Sequence, residues 1–251
     1  MIGNVRLRCS PKSGQFQHNQ QLILLTPPSA FTTTMTLNFL ANKHEIQLKE
    51  RVNALEILTD LELGNTFDLV YSDGSSGVAA EESSALAKYF LRAGRPFTQH
   101  VYMGNQLVFD AKRTWKWIGS KMEIMAGGQC VAIIEWNWPK KFLLQREFKI
   151  YSPDKSQHLL TIKGWEFSTW ICGKKPWTYR VVDANSGNQV GHIKKKFSGI
   201  IQELFTDADN FEVQFDVNMP PNLKAAVLGL VFLLNCKYYT KPKSNNNNNR
   251  R

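Results

Sequence analysis

The sequence predicts a mainly β protein (α+β class), with one closed antiparallel barrel of about twelve strands around a buried hydrophobic C-terminal helix. From residue 66 onward, short segments of strand composition alternate with turn residues, and residues 211–217 alternate apolar and polar side chains. Residues 225–234 carry no polar side chain on any helical face. Because so long a meander must hide its edge strands, we expect it to close into a barrel.

The composition is that of a folded chain with a basic surplus. Hydrophobic residues make up 43% and aromatic residues 12% of the 251 residues, which is enough for a core and excludes wholesale disorder. The net charge of +10 favours anionic partners, such as an anionic phospholipid membrane or an acidic protein. The four cysteines are widely spaced without a CxxC pair, so we expect no disulfide framework and a reducing compartment.

The N-terminal arm, residues 1–44, contains no Asp or Glu and many hydroxyl residues. This composition is typical of a mitochondrial transit peptide, but arginine is sparse and Pro27-Pro28 would interrupt an amphipathic helix. We therefore favour a disordered arm, or an extension upstream of a start at Met35, and keep a targeting segment as the alternative.

Residues 45–63 predict a short amphipathic helix that ends before Gly64. Leu48, Val52 and Leu55 fall on one helical face of this segment. We expect the barrel domain to begin with this helix and to extend over residues 45–240. The remaining residues, 241–251, form a basic Asn-rich tail of low complexity that we expect to be disordered.

Five hairpins are predicted after this helix. Their turns are Asp73-Gly74, Gly104-Asn105, Gly127-Gly128, Pro153-Asp154 and Ser186-Gly187, residue types that favour tight turns. The strands that flank these turns are predicted at residues 67–72, 77–83, 98–103, 106–111, 121–126, 130–136, 147–152, 158–163, 179–183 and 189–194. Residues 200–205 and 211–217 supply an eleventh and a twelfth strand, and the last of these has the period of a strand with one buried face.

The segment NLKAAVLGLVFLL, residues 222–234, predicts the C-terminal helix, with Asn222 as its N-cap. A helix without a polar face must be buried on all sides, in protein or in lipid. Its ten apolar residues span only about 15 Å, about half of a bilayer core, so we favour a helix inside the barrel over one that inserts into a membrane. The side chains expected to be buried or inserting are Ala225, Val227, Leu228, Leu230, Val231, Phe232 and Leu234.

Several of these segments resemble the phospholipid scramblase family, whose fold is the tubby-like barrel. The strongest likeness is GHIKKKFSGIIQELFTDADNFEVQF, residues 191–215, followed by the helix sequence. NTFDLVYSDGSSGVAAEES, residues 65–83, and the Arg-Pro-Phe element at 95–97 are similar to the opening hairpin and the Arg-Pro-Phe element of the family. The resemblance implies ATP-independent, bidirectional movement of phospholipids between membrane leaflets, triggered by calcium. It also implies a membrane-associated protein at the cytoplasmic face of the plasma membrane. The composition of residues 1–44 leaves the mitochondrion as the alternative location.

The resemblance further implies a weak Ca²⁺ site, because residues 207–218 match the proposed calcium-binding segment of the family. The candidate metal ligands are Asp207, Asp209, Gln214, Asp216 and Asn218. Their oxygen atoms suit calcium, although Glu212, Asp216 and Asn218 depart from the family pattern. An alternative of equal weight is that Asp207 and Asp209 form a turn or a cap before the last strand.

All seven tryptophans lie between residues 115 and 177, with basic residues interleaved. Tryptophan favours the lipid headgroup region and lysine is attracted to anionic lipid, so these segments are candidates for membrane contact. The candidate lipid-contact residues are Lys112, Arg113, Trp115, Lys116, Trp117, Lys140, Lys141, Lys174 and Lys175. Alternatively, several of the tryptophans fill the barrel wall. Stacking on nucleic acid is a less favoured use of the same residues.

Nothing in the sequence indicates an enzyme. It contains no HExxH, no GxSxG and no phosphate-binding glycine loop. Glu81 and Glu82 are adjacent and would face opposite sides of a strand, which excludes a catalytic carboxylate pair there. Residues 112–122 lack the cysteines that are palmitoylated in animal members of the family, so we expect no acyl anchor. The rival interpretation is a soluble tubby-like module that binds anionic lipid or protein partners, has a regulatory role and moves no lipid itself.

Overall fold

The computed structural model describes residues 36–51, 64–84, 91, 94–117, 119–136, 147–164, 178–196 and 210–239. In these ranges the chain forms twelve antiparallel strands that close into one barrel. The strands are β1 (Glu45–Glu50), β2 (Thr66–Tyr71), β3 (Ser76–Glu82), β4 (Phe97–Met103), β5 (Gln106–Thr114), β6 (Ser120–Ala126), β7 (Gln129–Trp136), β8 (Glu147–Tyr151), β9 (His158–Lys163), β10 (Thr178–Asp183), β11 (Gln189–Lys196) and β12 (Asn210–Phe215). Because β1 pairs with both β2 and β12, none of the twelve described strands has an open edge, and the predicted fold class is confirmed.

The helix α1 (Pro221–Leu234) fills the barrel. Every residue from Lys224 to Leu234 is buried, and the chain continues into a short π-helical turn, Asn235–Tyr239. The ring of Phe232 on the helix packs against Phe67 of β2, with 5.5 Å between the ring centroids. Within the described residues, no helix combines the length and the apolar character that a membrane crossing requires.

The ends and the packing of α1 follow from local sequence. Pro221 suits the first turn of a helix because its missing N–H would have no partner there. Gly229 lies against the wall, where an added Cβ would be 2.4 Å from Ile124 Cδ1. On β6, Met122 and Ile124 face this helix while Glu123 between them faces outward. The period-two alternation of the strands therefore creates the apolar lumen that a helix without a polar face needs.

The predicted helix over residues 45–63 is wrong in its first part, because Glu45–Glu50 forms β1. Ile46 and Leu48 face the core, and Gln47 between them is only half-buried. The sequence of residues 45–50 is short enough to be compatible with either a helix or a strand. Pairing with β2 and β12 on its two sides stabilises the strand. Residues 52–63 lie outside the described residues.

The other strands of the barrel agree closely with the sequence. Strands β2 to β12 each begin within about one residue of a position predicted from turns and alternation. The predicted strand at residues 200–205 lies outside the described residues, and β1 takes the remaining place in the barrel. Tight turns thus locate strands well, whereas a strand without a hairpin turn on either side, such as β1, is missed.

Residues 36–44 pack across one end of the barrel. Leu37 and Leu40 are buried, and the Nζ of Lys224 donates a hydrogen bond to the carbonyl of Ala41 at 2.7 Å. This part of the predicted N-terminal arm therefore belongs to the barrel domain, and the apolar side chains explain why it does not stay in solvent. The first 35 residues lie outside the described residues.

The two ends of the barrel differ in their connections. Short turns join β2 to β3, β4 to β5, β6 to β7, β8 to β9 and β10 to β11 at one end, which we call the turn end. The opposite end, which we call the long-loop end, carries the connections of residues 51–65, 83–96, 115–119, 137–146, 164–177 and 197–209. Because β12 runs toward the turn end, α1 begins there and finishes at the long-loop end.

Candidate functional site

The candidate functional site is the long-loop end, to which the topology assigns most of the predicted lipid-contact residues. These are Trp115, Lys116 and Trp117 between β5 and β6, Lys140 and Lys141 between β7 and β8, and Lys174 and Lys175 between β9 and β10. The four lysines of the last two connections lie outside the described residues. Since antiparallel strands alternate in direction, every second connection joins strands at the same end, and distant sequence positions belong to one site.

The loop between β5 and β6 presents two tryptophans to solvent. The side chain of Trp117 is 88% exposed and that of Trp115 is 40% exposed. Their rings pack edge to face with 4.7 Å between centroids, and the Nζ of Lys116 between them lies 3.6 Å from Glu135 Oε1. Gly119, with φ of 86°, supplies the left-handed residue that closes this short loop. The result is a compact apolar tip with one adjacent lysine.

Arg113 is not a surface residue, contrary to its place among the predicted lipid contacts. It is buried, and its Nη atoms donate to Cys236 Sγ at 3.4 Å and to Ser120 Oγ at 3.3 Å. Burial lowers the pKa of Arg113. Lys112, the preceding residue on β5, faces outward and is exposed. Alternation along the strand separates two basic residues that composition alone groups together.

Arg95 and Glu81 form a buried ion pair beneath the long-loop end. Arg95 Nε lies 3.1 Å from Glu81 Oε1 and Nη2 lies 3.0 Å from Oε2, and both side chains are almost fully buried. Glu82 faces the opposite side, where it contacts His100, so the expected separation of the two glutamates is confirmed. Sequence reasoning missed the pair, although the inward-facing Ala79 two residues earlier could have indicated that Glu81 faces the interior.

The same polar layer holds the C-terminal end of α1. Asn235 Nδ2 donates to Glu50 Oε1 at 3.2 Å, and Lys237 Nζ lies 3.1 Å from the centre of the Trp136 ring. Burial raises the pKa of the Cys236 thiol, which favours its neutral form. Trp136 is buried, in agreement with the alternative that some tryptophans belong to the barrel wall. This polar layer connects the C-terminal end of α1 to the strands that carry the Trp115–Trp117 loop.

The five candidate calcium ligands cannot bind one ion together. Asn210 begins β12 at the long-loop end, whereas Asp216 and Asn218 follow that strand at the turn end. Six strand residues cover about 17 Å, and the ligands of one calcium ion all lie within about 2.6 Å of it. A side chain at the start of β12 is therefore too far from Asp216 to share an ion with it. Asp207 and Asp209 themselves lie outside the described residues.

Asp216 instead stabilises a turn. Its Oδ1 accepts the backbone N–H of Asn218 at 2.9 Å, and Asp73, Asp154 and Asp183 accept the N–H two residues ahead in the same way. Hydrogen bonds from Ser152 and then Ser156 lower the pKa of Asp154 to about 2. Among the described residues, no three His, Cys, Asp or Glu side chains are grouped as a metal site. The carboxylates at the turn end therefore stabilise tight turns by accepting backbone hydrogen bonds.

Comparison with known proteins relates the chain to one family. The Scramblase family model matches residues 26–241. Phospholipid scramblase 1 of Mus musculus is 28% identical over 229 residues, which cover 86% of this chain and 67% of that protein. Phospholipid scramblase 1 of Homo sapiens is 27% identical over 217 residues, covering 81% of this chain and 65% of that protein. Phospholipid scramblase 2 of Bos taurus is 26% identical, with coverages of 81% and 71%.

The chain thus spans about two thirds of the length of the first two of these relatives. No solved structure matches this chain.

Proposed function

Because the chain belongs to the Scramblase family, we propose that it promotes ATP-independent, bidirectional movement of phospholipids between the leaflets of an anionic membrane, which it contacts with its long-loop end. The observation that carries the proposal is the exposed Trp115–Trp117 loop, in which Trp117 is 88% exposed. Tryptophan partitions to the headgroup region, and exposed apolar groups on a folded domain mark a contact surface. The names of the relatives support phospholipid as the partner.

The charges at the two ends favour one orientation on the membrane. Lys116 lies beside the tryptophans, and the connections at the long-loop end also carry Lys140, Lys141, Lys174 and Lys175. The turn end presents the carboxylates of Asp154, Asp183 and Asp216, while that of Asp73 is paired with Lys43. An anionic surface attracts the first set and repels the second. We therefore orient the long-loop end toward the lipid and the turn end toward water.

The filled lumen leads us to propose that lipids move outside the barrel. With residues 224–234 buried, α1 occupies the space that a phospholipid would need inside. Withdrawal of the helix would expose this whole apolar segment and the barrel core with it, at a large cost in hydrophobic burial. The economical mechanism is local disturbance of lipid packing by the inserted tryptophans, so that headgroups cross beside the bound protein.

A second candidate function is a regulatory module that binds anionic lipid or protein partners and moves no lipid itself. The specific observation that favours it is the complete burial of α1, from Lys224 to Leu234. A barrel that keeps its helix needs only a surface to bind a partner. Both candidates use the long-loop end, and they differ in whether bound protein accelerates lipid exchange.

Calcium enters this proposal only at the long-loop end. We propose that Asp207 and Asp209, in the connection that precedes β12, bind Ca²⁺ weakly, together with ligands other than Asp216 and Asn218. At this position the ion would join carboxylates to lipid phosphates at the membrane-facing end. We propose the cytoplasmic face of the plasma membrane as the location, with the mitochondrion as the alternative. Imaging of the full chain with organelle markers distinguishes the two.

The deciding experiment measures phospholipid movement in liposomes that contain the purified full chain. A fluorescent phospholipid reports leaflet exchange, with and without Ca²⁺ and in the absence of ATP. The native chain is compared with Asp207→Ala/Asp209→Ala, and with Asp216→Ala as a control at the opposite end. We expect calcium-stimulated exchange in the native chain and in the control, and its loss in the double variant.

Two other outcomes are informative. Firm binding of the native chain to anionic liposomes without any exchange would overturn scrambling and support the binding module. Exchange that depends on Asp216 as strongly as on Asp207 and Asp209 would contradict our assignment of calcium to the long-loop end.

A further inference from the structure

Two lysines from different parts of the barrel contact one carboxylate beside the exposed tryptophans. Glu135 lies on the outer face of β7, between the buried residues Ile134 and Trp136. Its Oε1 accepts a hydrogen bond from Lys155 Nζ at 2.7 Å and lies 3.6 Å from Lys116 Nζ. Because 3.6 Å is too long for a hydrogen bond, Lys155 is the first partner of Glu135 and Lys116 is the second.

Lys155 reaches Glu135 from the turn between β8 and β9. Strand β8 pairs with residues 133–135 of β7 only, so this turn lies beside the middle of β7 and the lysine side chain can extend back to Glu135. Lys155 has a φ of 59°, and among the described residues it is the one non-glycine residue with a positive φ. This conformation favours glycine or asparagine. A lysine at such a position, bonded to a carboxylate 20 residues away, indicates a role for its side chain.

Two further lysines lie near Glu135 without pairing with it. Lys121 on β6 and Lys149 on β8 are each directly opposite Glu135 in the strand register. Lys121 pairs with Glu123 at 2.6 Å, and Lys149 is exposed. Within the described part of the chain, the carboxylate of Glu135 therefore has only the two ion-pair partners named above.

The carboxylate is shielded, whereas its two partners reach solvent. The side chain of Glu135 is 13% exposed, that of Lys116 is 37% exposed and that of Lys155 is 42% exposed. Burial raises the pKa of Glu135, but the two ammonium groups outweigh this effect and hold the pKa below its usual value. An anion that arrives at the loop can thus take Lys116 without leaving the carboxylate unpaired, since Lys155 stays.

We propose that Lys155 is a positioning residue for the membrane contact. It keeps the hydrogen bond to Glu135, so that Lys116 is released to the phosphate of an anionic phospholipid beside Trp115 and Trp117. This inference rests on the proposed function, because it requires that the loop with these tryptophans meets the membrane. Without Lys155, the carboxylate would take Lys116 as its hydrogen-bonding partner. The loop would then present its two rings without the cation that an anionic surface attracts.

The test is a double-mutant cycle on binding of the full chain to phosphatidylcholine vesicles that contain phosphatidylserine. In the native chain, Lys116→Gln should weaken binding by about fivefold, the size expected for one lysine at an anionic surface. In a Lys155→Gln background, the same replacement should change binding by less than about twofold, because Glu135 already holds Lys116. The matched control background is Lys149→Gln, which removes the same charge next to Glu135 and should keep the effect of Lys116→Gln.

Two rescue variants separate positioning from a structural role. Lys155→Arg keeps a cation that reaches Glu135, so Lys116→Gln should weaken binding as in the native chain. Glu135→Gln/Lys155→Gln removes the carboxylate as well and should restore the effect of Lys116→Gln. Vesicles of phosphatidylcholine alone should show none of these differences, since they carry no net charge for Lys116 to contact.

A titration in solution tests the contacts of Glu135 without a membrane. The NMR signal of the Glu135 carboxyl carbon is followed against pH. Lys155→Gln should raise the pKa of this carboxyl more than Lys116→Gln does, because Lys155 donates the hydrogen bond. A full effect of Lys116→Gln on vesicle binding in the Lys155→Gln background, or a larger pKa rise in Lys116→Gln, overturns the inference and leaves the proposed function intact. A native chain that binds neither kind of vesicle overturns the proposed function itself.

Discussion

The two ends of the barrel are built by different rules. At the turn end, connections are short and each carboxylate of Asp73, Asp154, Asp183 and Asp216 accepts the N–H two residues ahead. At the long-loop end, a buried polar layer supports an exposed tip with Trp117. The turn carboxylates at the turn end accept local hydrogen bonds, although Asp73 also pairs with Lys43, whereas the long-loop end combines side chains that are far apart in sequence. This difference supports our proposal that the long-loop end, rather than the turn end, contacts the membrane.

The largest effect is expected at the ion pair below the long-loop end. Glu81→Ala leaves the buried guanidinium of Arg95 without the carboxylate that two of its nitrogens contact, with Arg113 buried in the same layer. We expect the free energy of unfolding to fall by about 3–5 kcal/mol, as measured by denaturant unfolding. Glu82→Ala is the matched control, because that side chain is exposed and its removal should cost about 1 kcal/mol or less.

A double replacement sharpens the same prediction. Glu81→Leu/Arg95→Met removes both charges and keeps most of the apolar volume, so most of the lost stability should return. If the double variant is as unstable as Glu81→Ala, the other hydrogen bonds of the polar layer stabilise the fold more than the Glu81–Arg95 ion pair does.

A moderate effect is expected on membrane binding at the exposed tip. Trp117→Ala should weaken binding to anionic vesicles by about tenfold, or about 1.4 kcal/mol, while the unfolding free energy stays nearly unchanged because the ring is exposed. Val217→Ala is the control at the turn end, where Val217 is 69% exposed. Equal losses in a vesicle sedimentation assay for the two variants would show that the barrel does not bind by one end.

The prediction of the fold from the sequence depended on hairpin turns. Strands β2 to β12 were located by turn residues and alternation, which act over a few residues. β1 was predicted as a helix, because its role is to pair with β2 and β12, and β12 is more than 150 residues away along the chain. Such pairing leaves no local signal that separates a short strand from a helix.

The candidate site was predictable only in part, for a related reason. Composition grouped Arg113 with Lys112, but the strand turns one inward and the other outward. The candidate calcium ligands are close in sequence, yet the full length of β12 separates its first residue, Asn210, from Asp216. Conversely, Lys116 and Lys155 meet at Glu135 only through the fold of three separate segments. Sequence order is a poor guide to proximity in a barrel in which neighbours come from opposite directions.

The smallest effect is expected at the turn end and concerns acid stability. Hydrogen bonds from Ser152 and Ser156 hold the pKa of Asp154 at about 2, below its value in an unfolded chain. A lowered carboxyl pKa stabilises the fold above the unfolded value, and this contribution is lost as the pH falls from about 4 to about 2. Asp154→Asn keeps an acceptor for the turn but no longer titrates, so its unfolding midpoint should depend less on pH in this window. Because the carboxylate is exposed and a local turn contributes less than a buried ion pair, the difference should be small. If the pH dependence that Asp154→Asn removes is as large as the loss of stability in Glu81→Ala, the turn contributes as much as the buried ion pair, and the contrast between the two ends fails.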